Sequence, residues 1–376
     1  MVSCGWARQT AQALGKNDSR EIGLLLARTL LIALVGGIAL IVFQQLIAEI
    51  SFALIDATPE VEKYAREYFH IRIFAAPATL ALYALHGWFL GCQNARYPLI
   101  LTIVVNVVNL GLNLLFIWGL KMKSDGVAYG TLIAQYVGLG VAGLLFFRSY
   151  AFYVSGITKK LIFQAKAFKT ILILNRDIFI RTLGLIFTFS YFTAKSAEMG
   201  NDLLAANTIL LHLIMIMAYG VDGFAFAAES LVGKYVGAND RKNLRATIRY
   251  SFFWGLGLGL IFAAIFWLFG ESLIRIFTDK ETVVTLAVGY LFWIVIAPII
   301  NSYCFIWDGI FIGAMAGKEM RNSMIFCTLL VFLPAFWWLR ESLGNHSLWL
   351  ALTLFMIARG VTLTFYARRR SLAFGS

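Results

Sequence analysis

The chain has 376 residues, of which 60% are apolar and 14% are charged, and its mean hydropathy is +0.78. A soluble domain has about 45–50% apolar and about 25% charged residues, so this composition excludes an ordinary soluble globular domain. The formal net charge of +12 invites a nucleic-acid interpretation, but the basic residues lie between apolar stretches rather than along one face. A charge bias in membrane-protein loops explains this pattern, and we predict no nucleic-acid partner.

Apolar stretches recur along almost the whole chain. A transmembrane helix needs about 20 mostly apolar residues to cross about 30 Å of hydrocarbon. The pattern therefore predicts an all-α, polytopic membrane protein with about ten spans and the lipid bilayer as its surroundings. The predicted spans, each defined to within several residues, are 22–48, 64–92, 98–120, 126–147, 172–197, 204–235, 245–269, 283–315, 321–340 and 347–366.

The basic residues are distributed unequally between the two sides of these spans. If the loops alternate sides, the side that holds Lys16 receives 19 Lys and Arg residues and the other side receives 7. The positive-inside rule places the richer side in the cytoplasm. We therefore expect a multi-pass protein of the inner (plasma) membrane, with a cytoplasmic C-terminus and a cytoplasmic linker at 148–171.

That linker divides the chain into two predicted halves. It carries four lysines, Lys159, Lys160, Lys166 and Lys169. A basic segment of this kind is typical of an anchor for lipid headgroups, and a regulatory site is the alternative.

The two halves form an internal repeat, which appears when the chain is shifted by 222 residues. Both halves begin on the same side, so the repeat is parallel, as in transporters whose binding cavity lies between two repeats. Two prolines coincide within one residue, and we expect each to bend a long apolar helix. The matched positions include Gly15–Asp18 with Gly237–Asp240, Gly87, Phe89 and Gly91 with Gly309, Phe311 and Gly313, and Pro77 with Pro298.

The same shift leaves part of the second half without a counterpart. Met1 falls on Gly223, so residues 172–222 match nothing in the first half. We expect a complete protein to have twelve spans, and we interpret this chain as N-terminally truncated or read from a late start. The predicted organisation is an incomplete bundle at 1–147, the linker at 148–171 and a six-helix bundle at 172–370. Upstream sequence without another apolar coding segment would contradict the truncation.

Seven short segments, spread over essentially the whole chain, are recognisable together. They are Ala205–Leu211, Ala218–Gly233, Gly237–Arg241, Asp308–Ala314, Glu319–Asn322, Ala95–Pro98 and the pattern Asn106-x-x-Asn109-x-x-x-Asn113. In combination, though not singly, these segments resemble the multidrug and toxic compound extrusion (MATE) transporters, and within that family the DNA-damage-inducible (DinF) branch.

The resemblance implies two bundles of six helices around a central cavity. It also implies export of drugs or metabolites by alternating access, coupled to H⁺ or Na⁺, with small cationic or amphipathic organic substrates. We expect a monomer. The family's first helix, which usually carries an acidic residue, is absent, and Asn113 stands where many relatives have Asp. Both departures remove acidic groups from the first half, which weakens the case for proton coupling there.

Of the 20 acidic residues, 17 lie in predicted loops or near helix ends, and the exceptions are Asp222, Glu229 and Asp308. A charge at the centre of the bilayer costs about 2.5–3.5 kcal/mol on insertion scales, so such groups face a cavity or a partner. A buried carboxylate can exchange a proton, bind Na⁺ or hold a cationic substrate, which is the chemistry of an antiporter. The alternative for each is an interhelical hydrogen bond or ion pair.

Four further polar residues are candidates for the cavity. Asn109 and Asn113 share one helical face and are suited either to interhelical bonding or to lining the cavity. Lys195 lies three residues before Glu198, and we favour pairing or snorkelling over contact with substrate. For His212 we favour a hydrogen-bonded structural role over a proton relay.

Arg181 follows Asp177 by four residues on a predicted helix. This spacing predicts an ion pair along the helix.

No enzyme signature is present. The chain has no H-E-x-x-H, G-x-S-x-G or P-loop motif, and its four cysteines form no C-x-x-C pair. These cysteines are typical of small buried side chains rather than metal ligands. We predict no catalytic residues, no metal and no cofactor apart from the coupling ion, H⁺ or Na⁺.

Two other functional interpretations remain. A lipid-linked oligosaccharide flippase of the same superfamily would favour a strongly cationic cavity, whereas this chain has only scattered Arg and Lys within its spans. A non-functional remnant is the second alternative, because a third of the first bundle is missing. Transport by this chain, compared with an upstream-extended version, would distinguish a remnant from a transporter.

Overall fold

The computed structural model describes residues 2–53, 58–155 and 157–370, without the side chains of 2–6, 159, 160, 165–167 and 169–174. The described backbone is helical over most of its length and contains no β-strand. Helices suit hydrocarbon because they satisfy every backbone hydrogen bond within one segment. The chain forms two compact units, Met1–Lys169 and Thr170–Ser376. The side chains of the four linker lysines lie outside the described residues.

The first unit contains eight helices in its described part. They are α1 (Val2–Gly15), α2 (Ser19–Val42), α3 (Gln44–Ala53), α4 (Pro59–Arg72), α5 (Ala76–Gly91), α6 (Arg96–Leu114), α7 (Ser124–Ser149) and the short α8 (Lys159–Ile162). Single turns of tighter or wider helix connect some of them, at Ile73–Ala75, Leu115–Gly119 and Ala151–Val154.

The second unit is built from longer helices. They are α9 (Ala165–Ala197), which begins just before the division, α10 (Asn201–Gly237), α11 (Arg241–Phe277), α12 (Glu281–Gly289), α13 (Leu291–Gly313), α14 (Gly317–Phe326), α15 (Leu333–Leu343) and α16 (Asn345–Arg369). A π-helical segment, Cys327–Phe332, joins α14 to α15.

Nine helical segments in the described part of the chain are long and apolar enough to cross a membrane. The all-α, polytopic prediction is therefore confirmed. The tenth predicted span, 172–197, falls on α9, whose side chains are described only in part.

The internal repeat is visible in how equivalent helices begin. Asp18 caps α2 by accepting a hydrogen bond from the Glu21 backbone N–H at 2.9 Å. Asp240 caps α11 in the same way, with the Asn243 backbone N–H at 3.0 Å. In each case the residue before the cap is an asparagine with φ of 55°, a left-handed conformation that asparagine tolerates. The two turns lie 222 positions apart and share one geometry.

The repeat also extends to how equivalent helices pack. A Cβ atom on Gly91 of α5 would overlap the carbonyl oxygen of Ala7 in α1, and one on Gly313 of α13 would overlap that of Glu229 in α10. Both pairs are related by the same shift of 222. Small residues let helix backbones approach closely in membranes, so the glycines of the repeat set the spacing of both helix pairs.

The two matched prolines, Pro77 and Pro298, occupy different positions within their helices. Pro298 lies inside α13, as expected. Pro77, however, stands in the first turn of α5, after the 3₁₀ turn Ile73–Ala75. Pro59–Gly91 nevertheless forms one apolar helical span of 33 residues, so Pro77 lies inside a long helix that this 3₁₀ turn interrupts. Proline is well accommodated in a first turn, where its missing N–H needs no partner.

Each unit has its own apolar core. In the first unit, Trp88 and Phe89 of α5 are fully buried, and the Trp88 indole N–H donates to the Ile22 carbonyl at 3.0 Å. In the second unit, buried side chains of α10, α13 and α16 form the centre, among them Met217 and Phe355. Asp308 of α13 and Arg359 of α16 are buried among the side chains of this second core.

Candidate functional site

Asp308 is the centre of a buried ion cluster in the second unit. Its Oδ2 accepts hydrogen bonds from Arg359 of α16, at 2.7 Å, and from Arg181 of α9. The three residues are only 7%, 1% and 7% exposed, for Asp308, Arg359 and Arg181 respectively. Buried charges persist when they are paired and hydrogen-bonded. We call Arg181, Asp308 and Arg359 the Asp308 cluster.

Helix packing places this cluster. A Cβ atom on Gly309, next to Asp308, would overlap the carbonyl oxygen of Ala225 in α10. The absence of a side chain there lets α13 lie directly against α10. Arg359 is further held by its own helix, since its Nη1 lies 3.3 Å from the Met356 sulfur and its guanidinium carbon lies 5.4 Å from the centre of the Phe355 ring.

Asp222 of α10 is half-buried beside the cluster. It lies within electrostatic range of Asp308 and Arg181. Within the part of the chain that the structure describes, it forms no hydrogen bond and no ion pair. It is 15 residues before the end of α10 at Gly237, or about 22 Å along the helix axis. Asp222 is thus a carboxylate whose charge is not matched by a bonded cation.

Glu229 lies seven residues further along α10 and is 2% exposed. Its backbone carbonyl packs against Gly313, as described above. The structure therefore places Glu229 in the α10–α13 interface. Four of the seven predicted cavity residues belong to this pair of helices, namely His212, Asp222 and Glu229 of α10 and Asp308 of α13.

The predicted ion pair between Arg181 and Asp177 is wrong. Arg181 binds Asp308, while Asp177 accepts from Arg321 Nη1 at 2.7 Å and from Arg176 Nη2 at 3.4 Å. Spacing along one helix identified a possible partner, but the helices packed around α9 supply others. Arg181 therefore joins α9 to α13, and Asp177 joins α9 to α14.

Lys195 forms the ion pair considered from the sequence. Its Nζ lies 2.6 Å from Glu198 Oε1 and 5.8 Å from the ring centres of Tyr191 and Trp337. No contact with the Asp308 cluster is present among the described residues. This geometry is that of a local ion pair over aromatic rings.

His212 is an exposed residue of α10. Its Nδ1 lies 2.8 Å from the Thr208 carbonyl oxygen, and its ring stacks on Phe277 with the ring centres 6.2 Å apart. A protonated Nδ1 would donate to that carbonyl, which is an interaction within one turn of helix. The contact fits a structural role better than a relay.

Asn109 and Asn113 lie in the first unit, on α6. Asn113 donates to Asn109 Oδ1 at 3.2 Å, and Asn109 donates to Thr131 Oγ1 of α7 at 3.0 Å. The Asn113 Oδ1 is buried against Gly130 without a hydrogen-bond partner among the described residues. The two asparagines therefore join α6 to α7 and leave one amide oxygen unsatisfied.

A second polar network in the second unit was not predicted. Asn207 of α10 donates to Ser196 and Asn345, both at 2.7 Å, and accepts from Asn345 at 3.0 Å and from Trp349 Nε1 at 2.9 Å. Asn207 is 1% exposed, so its amide is satisfied entirely by protein groups. A buried amide needs several partners, which is the signal that could have identified this network.

Arg359 was also overlooked as a partner of Asp308. An arginine in the middle of an apolar helix needs an acceptor, and Asp308 was the strongest candidate on another span. The sequence contains that signal, but spacing alone does not say which helices are neighbours.

The chain matches the MatE family profile over residues 2–115 and 178–337. It is 38% identical to DNA damage-inducible protein F of Escherichia coli K12 over 371 residues, which cover 96% of this chain and 78% of that protein. It is 22% identical to the probable multidrug resistance protein NorM of Thermotoga maritima over 296 residues, covering 76% of this chain and 62% of that protein.

Solved structures share the fold. An outward-facing multidrug resistance MATE family transporter of the MOP superfamily superimposes with a TM-score of 0.90, covering 99% of this chain and 84% of that chain at 18% identity. A MOP superfamily transporter from Pyrococcus furiosus gives a TM-score of 0.89, covering 98% and 83% at 18% identity. At these identities, the two structures support the helical architecture alone.

Proposed function

We propose that this chain, which belongs to the MatE family of membrane transporters, exports small organic molecules in exchange for an entering cation, H⁺ or Na⁺. The substrates are drugs or metabolites of cationic or amphipathic character, moved by alternating access. The protein acts as a monomer in the inner membrane with its C-terminus in the cytoplasm. The observation that supports the coupling proposal is the half-buried carboxylate of Asp222 beside the Asp308 cluster, to which no cation is hydrogen-bonded among the described residues.

The chemistry of the two carboxylates differs. Asp308 is bound by two guanidinium groups, so a proton or Na⁺ would have to compete with Arg181 and Arg359 for it. Asp222 has no bonded cation in the described part of the chain. An ionisable group within a membrane helix is a functional candidate because its burial is costly. We therefore assign the exchange of the coupling cation to Asp222 and the positioning of Arg181 to Asp308.

The relatives support export as the direction of transport. The protein of Thermotoga maritima is named a probable multidrug resistance protein. A cavity that releases organic cations needs a carboxylate that H⁺ or Na⁺ can neutralise and that recovers its negative charge when the coupling cation leaves. Asp222 meets that requirement, since its neighbour Arg181 is already engaged by Asp308.

The flippase alternative is less well supported. A strongly cationic cavity would suit a lipid-linked oligosaccharide, whose linkage is anionic. The two buried arginines of the cluster are offset by Asp308 and by the nearby Asp222, so these four formal charges balance. The arrangement does not provide the excess positive charge that the alternative needs.

The experiment that tests the proposal is transport by the full chain in proteoliposomes. Uptake of ethidium is driven by a pH gradient in one arm and by a Na⁺ gradient in the other. Asp222→Asn is expected to lower the driven rate to the rate measured without a gradient, because the coupling cation then has no carboxylate to neutralise. Asp202→Asn is the matched control, because Asp202 lies on the same helix in an exposed ion pair with Lys280 at 2.6 Å.

Equal rates for the wild type and Asp222→Asn under both gradients would remove Asp222 from the coupling mechanism. Absence of ethidium movement under either gradient, with the folded protein present, would instead support a remnant or a different cargo. Loss in one arm alone identifies the coupling ion.

A further inference from the structure

The beginning of α11 carries an excess of positive charge. Residues 234–254, which run from the last turn of α10 into α11, contain five basic residues and one acidic residue, so four formal positive charges are in excess. None of the candidate cavity residues lies in this stretch. The basic residues are Lys234, Arg241, Lys242, Arg245 and Arg249, and the acidic residue is Asp240.

Three of these cations share one face of α11, because residues three and four positions apart are neighbours on a helix. We call Lys242, Arg245 and Arg249 the α11 basic face. All three are exposed, and their side chains form no hydrogen bond and no ion pair within the described part of the chain. Asp240 attracts Lys242, but its two carboxylate oxygens accept hydrogen bonds from Asn243, at 3.0 and 2.6 Å. The α11 basic face therefore has no carboxylate bound to it.

The α11 basic face stands at the edge of the apolar part of its helix. Residues 250–270 contain no charged residue and span about 31 Å along a helix, which matches the thickness of the hydrocarbon core, about 30 Å. Arg249 directly precedes this stretch, and Glu271 directly follows it. Tyr250 and Trp254 are exposed beside Arg249, and such residues are enriched where hydrocarbon meets headgroups. The basic face therefore lies at headgroup level.

An apolar notch continues the same face into the hydrocarbon. Phe253 follows Arg249 by four residues, Gly257 follows by four more and Leu260 by three more. Phe253 and Leu260 are exposed by 67% and 56%, whereas a Cβ atom added at Gly257 would meet nothing within 4 Å. Gly257 thus leaves a shallow gap between two protruding apolar side chains, directly below the basic face.

The repeat shows that the fold does not need these cations. A shift of 222 residues relates Arg245 to Gly23 of α2 and Arg249 to Ala27. A Cβ atom on Gly23 would overlap the carbonyl oxygen of Tyr153, so the segment after α7 packs directly on α2 at this place. An arginine excludes such a close approach of backbone. The open face is therefore a property of the sequence of α11 itself.

We propose that the α11 basic face binds the headgroup of one anionic membrane phospholipid, with an acyl chain in the notch at Gly257. The planar N–H groups of a guanidinium bond two phosphate oxygens at once. Arg245 and Arg249 are four residues apart, with Cβ atoms about 5–6 Å from each other, so both guanidinium groups reach one phosphate. Lys242 adds a third positive charge, and Phe253 covers the upper part of the acyl chain.

The same arrangement favours an anionic headgroup over a zwitterionic one. Phosphatidylcholine brings a quaternary ammonium group beside the phosphate, where it meets three cations. The one carboxylate of this stretch, Asp240, is held by Asn243. Phosphatidylglycerol supplies the phosphate without a second cation, so its charge complements the basic face.

The test measures lipid binding to the purified, delipidated full chain by native mass spectrometry. Phosphatidylglycerol and phosphatidylcholine with identical acyl chains are titrated separately, and the dissociation constants of the first bound lipid are compared. We expect phosphatidylglycerol to bind about 25-fold more tightly, from about fivefold for each of the two arginines. Equal affinities for the two lipids would overturn the proposal.

Paired variants locate the site. Arg245→Gln combined with Arg249→Gln is expected to remove the preference for phosphatidylglycerol. The matched control is Arg368→Gln combined with Arg369→Gln, an equal charge change at two exposed arginines at the end of α16, which is expected to keep the preference. A preference that survives the first pair of substitutions, or that is lost equally with both pairs, would refute a site on α11.

Two competitors test whether the acyl chain takes part. Inorganic phosphate and glycerophosphoglycerol, the phosphatidylglycerol headgroup without acyl chains, are each added at the concentration of the lipid. Neither is expected to displace bound phosphatidylglycerol, because neither fills the notch at Gly257. Displacement by either one would overturn the proposal, since it would identify a site for free phosphate groups. None of these measurements depends on transport.

Discussion

The Asp308 cluster makes an asymmetric prediction about stability. Asp308→Asn removes the carboxylate that binds two buried guanidinium groups, and leaves both without a hydrogen-bonded counter-charge. Breaking a buried pair in this way costs about 3–5 kcal/mol. Arg359→Met instead leaves Asp308 and Arg181 as a balanced pair, and Met can fill much of the volume. Its main loss is one charge-assisted hydrogen bond, about 1.5–3 kcal/mol.

The measurement is SDS-induced unfolding of the detergent-solubilised chain, followed by tryptophan fluorescence. Arg275→Met serves as the control, because Arg275 pairs with Glu271 and Glu281 at an exposed helix end. We expect Asp308→Asn to be the most destabilised, Arg359→Met to be intermediate and Arg275→Met to be indistinguishable from the wild type. If Asp308→Asn were as stable as Arg359→Met, the two-arginine arrangement around Asp308 would be refuted.

Two further predictions concern the repeat and its caps. Gly313→Ala should destabilise the second unit by about 1–3 kcal/mol, because the added Cβ would overlap the Glu229 carbonyl and force α10 and α13 apart. Gly257→Ala, at an open position of α11, is the control and should leave the stability unchanged. Similar unfolding curves for the two variants would contradict the packing argument. Hydrogen bonds from the backbone and side chain of Asn243 lower the pKa of Asp240 in the folded protein. The stabilisation that this cap provides is therefore fully present above the pKa of Asp in the unfolded chain, about 3.9. It is lost as the pH falls through the lower pKa of the folded state. Asp240→Asn should lack that part of the acid sensitivity in unfolding curves taken from pH 6 to pH 3; identical pH profiles would show that the cap contributes nothing.

Most of the fold could be predicted from the sequence, because membrane helices are encoded locally. Long apolar stretches, the capping residues Asp18 and Asp240, and the glycines Gly91 and Gly313 each act through their own turn of helix or its direct neighbour. In the sequence alone, a shift of 222 residues relates Asp18 to Asp240 and Gly91 to Gly313. The repeat was therefore accessible, since the same short-range rules act twice.

The partners of the buried charges could not be predicted in the same way. Arg181 has Asp177 four residues away on its own helix, but binds Asp308, 127 residues along the chain. The choice depends on which helices pack against α9, and only the three-dimensional arrangement contains that information.

The repeat retains packing but not charge. The position equivalent to Asp308 in the first unit is His86, and that equivalent to Arg359 is Val137, so the first unit cannot form the same ion cluster. Asp222 and Arg181 belong to residues 172–222, which have no counterpart in this chain. The repeat therefore preserves packing glycines and helix caps but replaces the two cluster residues, Asp308 and Arg359, that have equivalent positions in the first unit. The coupling proposal therefore rests on the second unit, and variants of His86 should change transport far less than Asp222→Asn.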